Sequence, residues 1–256
     1  MVGYMLKTIN LRKNPNRKSK VLCSLPKDAT ITIVGKKYTW DKTIPYVKVT
    51  YKDKTGYVNA KYIKGLYLKK INNKSKKNPV TAVLSNGKTN KKVMIVRQHS
   101  FNEYVSSHGC SISCIVEALR SVNKGKTVSY IEKYCKTKLN GYNGSKVAIY
   151  GAYKVVKALS GKQVTYKSVQ NGNKSEIRKL IKSSLKNGKC VVIEQKNPIH
   201  TYIALGFTLN NKIMIGTSGT LKEVSLNWIM KTINVGNGTK SDFFTGAKSD
   251  AGIFVI

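Results

Sequence analysis

The residues with the clearest chemical potential are a cysteine and a histidine that lie far apart along the chain. Cys110 stands directly before a run with helical periodicity, and His200 begins a strongly apolar run that ends at Phe207. A helix N-terminus stabilises negative charge and lowers the pKa of a thiol. A histidine at the mouth of a strand can face such a thiol across a cleft. The two residues therefore predict a thiolate nucleophile with an imidazole acid–base partner.

Gln98 is the third candidate, because it lies shortly before Cys110 in the sequence. Its side-chain amide and the Cys110 backbone N–H could together form an oxyanion hole. The other two histidines, His99 and His108, lie in the loop before Cys110. His108 is too close to Cys110 in sequence to be the usual base, although it could line the cleft. Taken alone, each of these residues is equally compatible with a structural role, and a buried structural role suits Cys114 best.

Periodicity predicts the elements that must position these side chains. Apolar residues at helical spacing predict a helix over 111–122, and the later elements follow an α+β order, with helices before consecutive strands. The further predicted helices are 147–159, 175–185 and 221–233, and the predicted strands are 190–194, 201–207, 213–215 and 252–256.

The first quarter of the chain has a different pattern. Apolar and polar residues alternate over 29–34 and 46–51, and turn sequences separate these runs, which predicts a small all-β barrel over residues 2–64. Residues 67–92 are rich in Lys and Asn and poor in apolar pattern. We therefore expect a linker there, with a short strand near 80–84 at most.

The composition is strongly basic. Lys and Arg number 47 against 11 Asp and Glu, which gives a formal net charge of +36. Such a charge attracts polyanions, including nucleic acid, anionic membranes and bacterial wall polymers. Because Lys far outnumbers Arg and the charge is spread along the chain, diffuse attraction to an anionic surface is favoured over reading of bases. An AT-rich coding sequence is an alternative origin of the excess.

The five cysteines form no CxxC pair and no Cys/His cluster with zinc spacing, so no metal or other cofactor is expected. An odd number leaves at least one free thiol, which is natural for a thiol enzyme. The sequence shows no apolar run long enough for a transmembrane helix and no visible signal peptide.

The catalytic part resembles the papain-like superfamily, and within it the bacterial family similar to double-glycine leader peptidases. The resemblance rests on Gln98, on Gly109-Cys110 leading into Ala118-Leu119, on residues 188–192 (GKCVV), and on residues 200–207 (HTYIALGF). It implies an α+β cysteine peptidase fold over 93–256, with Cys110 as nucleophile, His200 as base and Gln98 in the oxyanion hole.

The sequence departs from that family in two places. Ser111-Ile112 replaces the usual Gly-Pro after the cysteine, and residues 216–218 (GTS) occupy the place of the third catalytic residue, an Asp or Asn. Thr217 or Ser218 could accept a hydrogen bond from the imidazole, but neither carries a charge. The resemblance therefore implies a looser orientation of His200.

The first part resembles bacterial SH3-like wall-binding domains. The resemblance covers residues 2–64 almost continuously and rests on segments 9–15 (INLRKNP), 21–28, 46–49 (YVKV) and 55–58 (TGYV), with Trp40 and Tyr62. It implies a module that binds peptidoglycan peptides or wall surfaces. The aromatic residues are equally compatible with a role in the barrel core.

Together these features predict a wall-binding domain at 1–66, a linker at 67–92 and a papain-like cysteine peptidase domain at 93–256. The expected function is hydrolysis of peptide or amide bonds in peptidoglycan. A peptidase acting on a protein or leader peptide, and a catalytically inert wall-binding protein, remain alternatives. We expect a monomer, secreted or released by phage lysis, that binds the cell wall and a peptide substrate, with no specific nucleic-acid partner.

Overall fold

The computed structural model describes residues 1–71, 80–85, 91–98, 109–139, 147–196, 199–235 and 251–256. Its strands are β1 (Val2–Tyr4), β2 (Ile9–Arg12), β3 (Val21–Leu25), β4 (Thr30–Ile33), β5 (Thr39–Asp41), β6 (Ile44–Tyr51), β7 (Lys54–Asn59), β8 (Tyr67–Ile71), β9 (Thr81–Leu84), β10 (Lys91–Met94), β11 (Thr165–Ser168), β12 (Val191–Gln195), β13 (His200–Phe207), β14 (Ile213–Thr217), β15 (Thr220–Val224) and β16 (Gly252–Val255). The α-helices of the described residues are α1 (Cys110–Ser121), α2 (Val128–Lys138), α3 (Ile149–Ser160), α4 (Lys174–Lys186) and α5 (Leu226–Thr232).

The N-terminal part is an antiparallel sheet in the order β1-β4-β6-β7-β2-β3, with β5 paired to β6. Alternation decides which residues enter its core: in β4, Ile31 and Ile33 are buried while Thr30 and Thr32 are exposed. Leu11, Val47 and Val49 join them in one apolar cluster. The aromatic residues divide, since Tyr46 is buried whereas Trp40 is 44% exposed.

The stretch expected to be a linker contains a three-stranded antiparallel sheet. Strand β9 (Thr81–Leu84) agrees with the short strand expected near 80–84, whereas β8 and β10 were not expected. Side chains of β9 alternate between the two halves of the molecule. Val83 packs in the N-terminal cluster, and Ala82 and Leu84 pack in a C-terminal one. The Lys/Asn composition obscured this pattern because the buried positions are few. Residues 72–79 and 86–90 lie outside the described part of the chain.

Gly65 fixes the direct contact between the two halves. Its backbone has φ +66°, and a Cβ there would overlap the carbonyl oxygen of Leu185 in α4. The Gly65 carbonyl accepts a hydrogen bond from the Phe207 N–H at 2.9 Å, and Leu66 forms a parallel bridge with Phe207. The end of the N-terminal part therefore lies against β13, the strand that begins with His200.

The C-terminal part is built on one antiparallel sheet in the order β11-β16-β12-β13-β14-β15. Successive residues of its central strands face opposite layers: Val192 and Ile203 pack with residues of α1, α2 and α3, whereas Ile193 and Tyr202 pack with residues of α4 and α5. Helix α1 is buried along nearly its whole length. The antiparallel pairing, with four of the five described helices before the consecutive strands β12 to β15, agrees with the predicted α+β order.

Several predicted elements are confirmed within one or two residues, including the helices near 111–122 and 175–185. The helix predicted over 221–233 is wrong in its first part. Thr220–Val224 is instead a strand paired with β14, and the Ser225 hydroxyl then accepts from the Trp228 N–H and starts α5. The sequence reading missed α2 and β11. Within the described ranges, no helix is both long and apolar enough to span a bilayer.

Candidate active site

Cys110 is the first residue of α1, where unpaired backbone N–H groups favour negative charge. The preceding Gly109 has φ −83°, a value open to any residue, so this position does not need a glycine for a tight turn. Cys110 is only 7% exposed. The nucleophile candidate therefore sits in a largely desolvated place.

The surroundings of Cys110 lower the pKa of its thiol to about 7. Burial alone acts in the opposite direction and is the largest single influence. It is outweighed by the hydrogen bond and charge of His200, together with the backbone and hydroxyl of Thr201. A large fraction of the thiol is thus ionised near neutral pH, as a cysteine nucleophile requires.

His200 opens β13, where its backbone pairs with Gln195 of β12. Its Nε2 lies 2.6 Å from Thr217 Oγ1 and 3.5 Å from Ser218 Oγ. With Nε2 held by these hydroxyls, Nδ1 is the ring nitrogen available to the Cys110 thiol. The place of the third catalytic residue is therefore filled by a hydroxyl pair, which orients the imidazole without supplying a negative charge.

Gln98 is joined to this group through Ser218. The Ser218 hydroxyl donates to Gln98 Oε1 at 3.5 Å, and Ser218 Oγ also lies 3.5 Å from His200 Nε2. Ser218 has φ +44°, in the tight turn between β14 and β15, which brings its side chain back over the site. Gln98 is 5% exposed. Its NH2 group is the kind of donor that an oxyanion hole uses.

Thr201 is the site residue that the sequence reading missed. It is fully buried, and its hydroxyl lies 3.2 Å from Ser111 Oγ and accepts from the Cys110 thiol at 3.9 Å. The available signal was a hydroxyl residue at the start of an otherwise apolar strand, next to His200. Ser111, one of the departures from the family pattern, thus has a partner in Thr201 of β13.

The structure brings Cys110, His200 and Gln98 into one site. Cys114, one turn along α1, is different: burial raises the pKa of its thiol well above the usual value, with Glu117 and Cys110 adding to the rise. His99 and His108 lie outside the described residues. In the part of the chain that the structure describes, no group of three or more His, Cys, Asp or Glu side chains is arranged to hold a metal ion.

Comparison with known proteins identifies the N-terminal part. Residues 7–64 match the family model "Bacterial SH3 domain". No curated protein matches the chain. Among solved structures, NlpC1 from Trichomonas vaginalis aligns over 98% of this chain and 69% of that chain, with 9% identity and a TM-score of 0.22.

NlpC2 from the same organism aligns over 98% of this chain and 73% of its own, with 10% identity and a TM-score of 0.20. These TM-scores are too low to assign the fold of the C-terminal part. Its resemblance to double-glycine leader peptidases stays a prediction.

Proposed function

We propose that the chain is a cell-wall hydrolase that cleaves peptide or amide bonds with Cys110 as nucleophile. The observation that carries this proposal is the Cys110 thiol at the start of α1, with its pKa lowered to about 7 by His200 and Thr201. A structural cysteine does not need a lowered pKa, and burial instead raises the pKa of Cys114 in the same helix. Perturbed titration beside a histidine in this way is typical of thiol catalysis.

The proposed reaction is acyl transfer in two halves. The Cys110 thiolate attacks the carbonyl carbon, and the carbonyl oxygen becomes an oxyanion that accepts hydrogen bonds from the Cys110 N–H and the Gln98 NH2. The imidazolium of His200 then protonates the leaving amine as the C–N bond breaks. In the second half, His200 takes a proton from water, the hydroxide attacks the thioester, and the thiolate leaves.

The wall is the proposed substrate because of the N-terminal part and the charge. Residues 7–64 match the bacterial SH3 domain, and resemblance to wall-binding members of that class suggests peptidoglycan as the ligand. The net charge of +36 adds attraction to anionic wall polymers, which should weaken as salt is raised. The contact of Gly65 with β13 ties this part to the strand that carries His200.

The direct test is release of new amino termini from purified peptidoglycan. The wild-type protein is expected to release them, and Cys110→Ala is expected to abolish the release. Cys114→Ala is the matched control, because it removes the same atom one turn away in the same helix and should retain activity. Equal release by wild type and Cys110→Ala would contradict the proposal.

A second candidate is a catalytically inert wall-binding protein on a peptidase-like scaffold. The observation that favours it is the pair of neutral hydroxyls, Thr217 and Ser218, at His200 Nε2, where a carboxylate or amide is expected. Sedimentation with purified walls, without release of amino termini under any condition, would support this candidate. Cleavage of glycine-rich peptides while walls stay intact would instead support a peptidase that processes proteins.

A further inference from the structure

Two side chains of α1 hold the outer edge of β10 and the residues that follow it. Glu117 Oε1 accepts from the Val96 N–H at 2.8 Å, and Arg120 Nη1 donates to the Met94 carbonyl at 3.3 Å. Backbone groups two residues apart in an extended chain point to the same side, and helix residues three apart share a face. The spacing of Glu117 and Arg120 therefore matches that of Val96 and Met94.

The opposite side of this segment is held by a backbone hydrogen bond and by side-chain packing. The Ile95 N–H donates to the Val80 carbonyl at 2.8 Å. The Ile95 side chain packs over Gly216, and the Arg97 side chain packs over Gly219. An added Cβ at either glycine would clash with the side chain above it. The residues from Met94 to Arg97 are thus fixed between α1 and the turn after β14. The next residue is Gln98, which meets Ser218 of that same turn.

Glu117 is an unusual residue for its position. It is 1% exposed, and burial of a carboxyl group is costly unless that group serves a specific partner. Within the described residues, its Oε2 has no hydrogen-bond partner, and the same holds for Ser113 Oγ one turn earlier. Burial raises the pKa of the Glu117 carboxyl to about 8, although the Val96 N–H and Arg120 oppose the rise. In either protonation state, Oε1 can accept from Val96.

We propose that Glu117 is a positioning residue that fixes Gln98 in the oxyanion hole through its hydrogen bond to the Val96 backbone. This inference rests on the proposed function of the Cys110 site. The helix that carries the nucleophile at its first residue would then also set the distance to the oxyanion donor. Arg120 assists by holding Met94, two residues before Val96.

Turnover of peptidoglycan separates this role from a merely structural one. In Glu117→Met the Val96 N–H loses its acceptor, so we expect kcat to fall by at least about tenfold, up to about 100-fold, with KM little changed. Glu117→Gln keeps the acceptor oxygen and is expected to retain activity near the wild-type level. Alkylation of Cys110 by iodoacetamide needs no oxyanion hole, and its rate should stay unchanged in both variants.

Glu132→Met is the matched control, because it removes a carboxylate by the same substitution from the neighbouring helix α2, where Glu132 pairs with Lys136. It should leave kcat unchanged. An unchanged kcat in Glu117→Met, or an equal loss in Glu117→Gln, would overturn the proposal.

A measurement that needs no turnover keeps the inference separate from the proposed function. In a Cys110→Ala background, which removes the nearby thiol titration, the Val96 amide proton shift should titrate with a midpoint near pH 8 as Glu117 ionises. The Gln98 side-chain NH2 signals should follow with the same midpoint. Among the residues that the structure describes, the charged and titratable side chains that interact with Glu117 are Arg120 and Cys114.

This titration uses a protein that keeps Glu117, so it holds even if Glu117→Met does not fold. Signals of Val96 and Gln98 that stay constant through that pH range would refute the positioning role. A wild type that releases no amino termini, with both signals titrating together, would refute the proposed function and leave the positioning of Gln98 by Glu117 standing.

Discussion

At the scale of single residues, the site depends on which atoms hold the imidazole. His200 Nε2 is 2.6 Å from Thr217 Oγ1 and has only the longer contact to Ser218 besides. When His200 becomes charged during acyl transfer, Thr217 is the oxygen placed to accept from Nε2–H. A hydrogen bond to a charged group contributes more than one between neutral groups. In the proposed mechanism, Thr217 would take the part of the Asp or Asn of the resembled family, without a negative charge.

Removing that hydroxyl should weaken catalysis while the fold is kept. For Thr217→Val we expect kcat/KM to fall about tenfold, which corresponds to a lost interaction of about 1.4 kcal/mol. Loss of the Ser218 contact with His200 in Ser218→Ala should lower kcat/KM by less, because that contact is longer. Thr220→Val is the control, since the Thr220 hydroxyl in the same hairpin donates to the Thr217 carbonyl and does not touch His200. A Thr217→Val variant as active as wild type would show that the hydroxyl does not orient the imidazole.

The residue types of the site could be read from the sequence, but their contacts could not. Cys110 and His200 stood out because a thiol before a helix and a histidine before a strand are chemically informative. Thr201 and the link from Ser218 to Gln98 depend on the register of β13 and β14 and on the positive φ of Ser218. Those features arise from tertiary packing, which local patterns do not encode.

At the scale of elements, Gly65 shows how the two halves of the chain meet. Its left-handed backbone and its approach to Leu185 both require glycine. Gly65→Ala is expected to lower the free energy of unfolding by more than about 1 kcal/mol, because strain and a backbone overlap act together. Urea denaturation measures this change.

Gly161→Ala is the control for Gly65. Gly161 has a similar φ of +60° but nothing within 4 Å of an added Cβ, so its substitution tests the backbone strain alone. Equal destabilisation by the two substitutions would contradict a close packing of Gly65 against α4.

Element prediction succeeded where one face is buried and failed where burial is shared or brief. The alternation over Thr30–Ile33 and the helical spacing after Cys110 reflect a single apolar face. Strand β9 has only four residues and faces a different core with each successive one, so it was expected only as a short strand, and its partners β8 and β10 were missed. Such a strand within Lys/Asn-rich flanks resembles a linker in composition.

At the scale of the whole molecule, the shared sheet of β8, β9 and β10 argues that the two halves form one cooperative unit. Val83 belongs to the N-terminal cluster and its neighbours Ala82 and Leu84 to a C-terminal one, so unfolding either half would expose the other. This differs from a binding module on a flexible tether. The N-terminal domain and Cys110 would keep a fixed spacing.

The two tryptophans report on this cooperativity, since Trp40 lies in β5 and Trp228 in α5. With Trp40→Phe and Trp228→Phe variants, the fluorescence of the remaining tryptophan follows one half at a time. We expect coincident urea midpoints and a single transition by circular dichroism. Two well-separated midpoints would show that the halves unfold independently.

If His200 activates the Cys110 thiol, the rate of alkylation at each cysteine must depend on pH in a characteristic way. Because the thiolate is the reactive form, the rate at Cys110 should rise with pH and reach half its maximum near pH 7, and Cys114 should react far more slowly. In His200→Ala the midpoint of the Cys110 alkylation rate should move to higher pH, because burial raises the thiol pKa and the opposing effect of His200 is lost. A Cys110 that reacts no faster than Cys114 at neutral pH, or whose midpoint is unchanged in His200→Ala, would contradict the account.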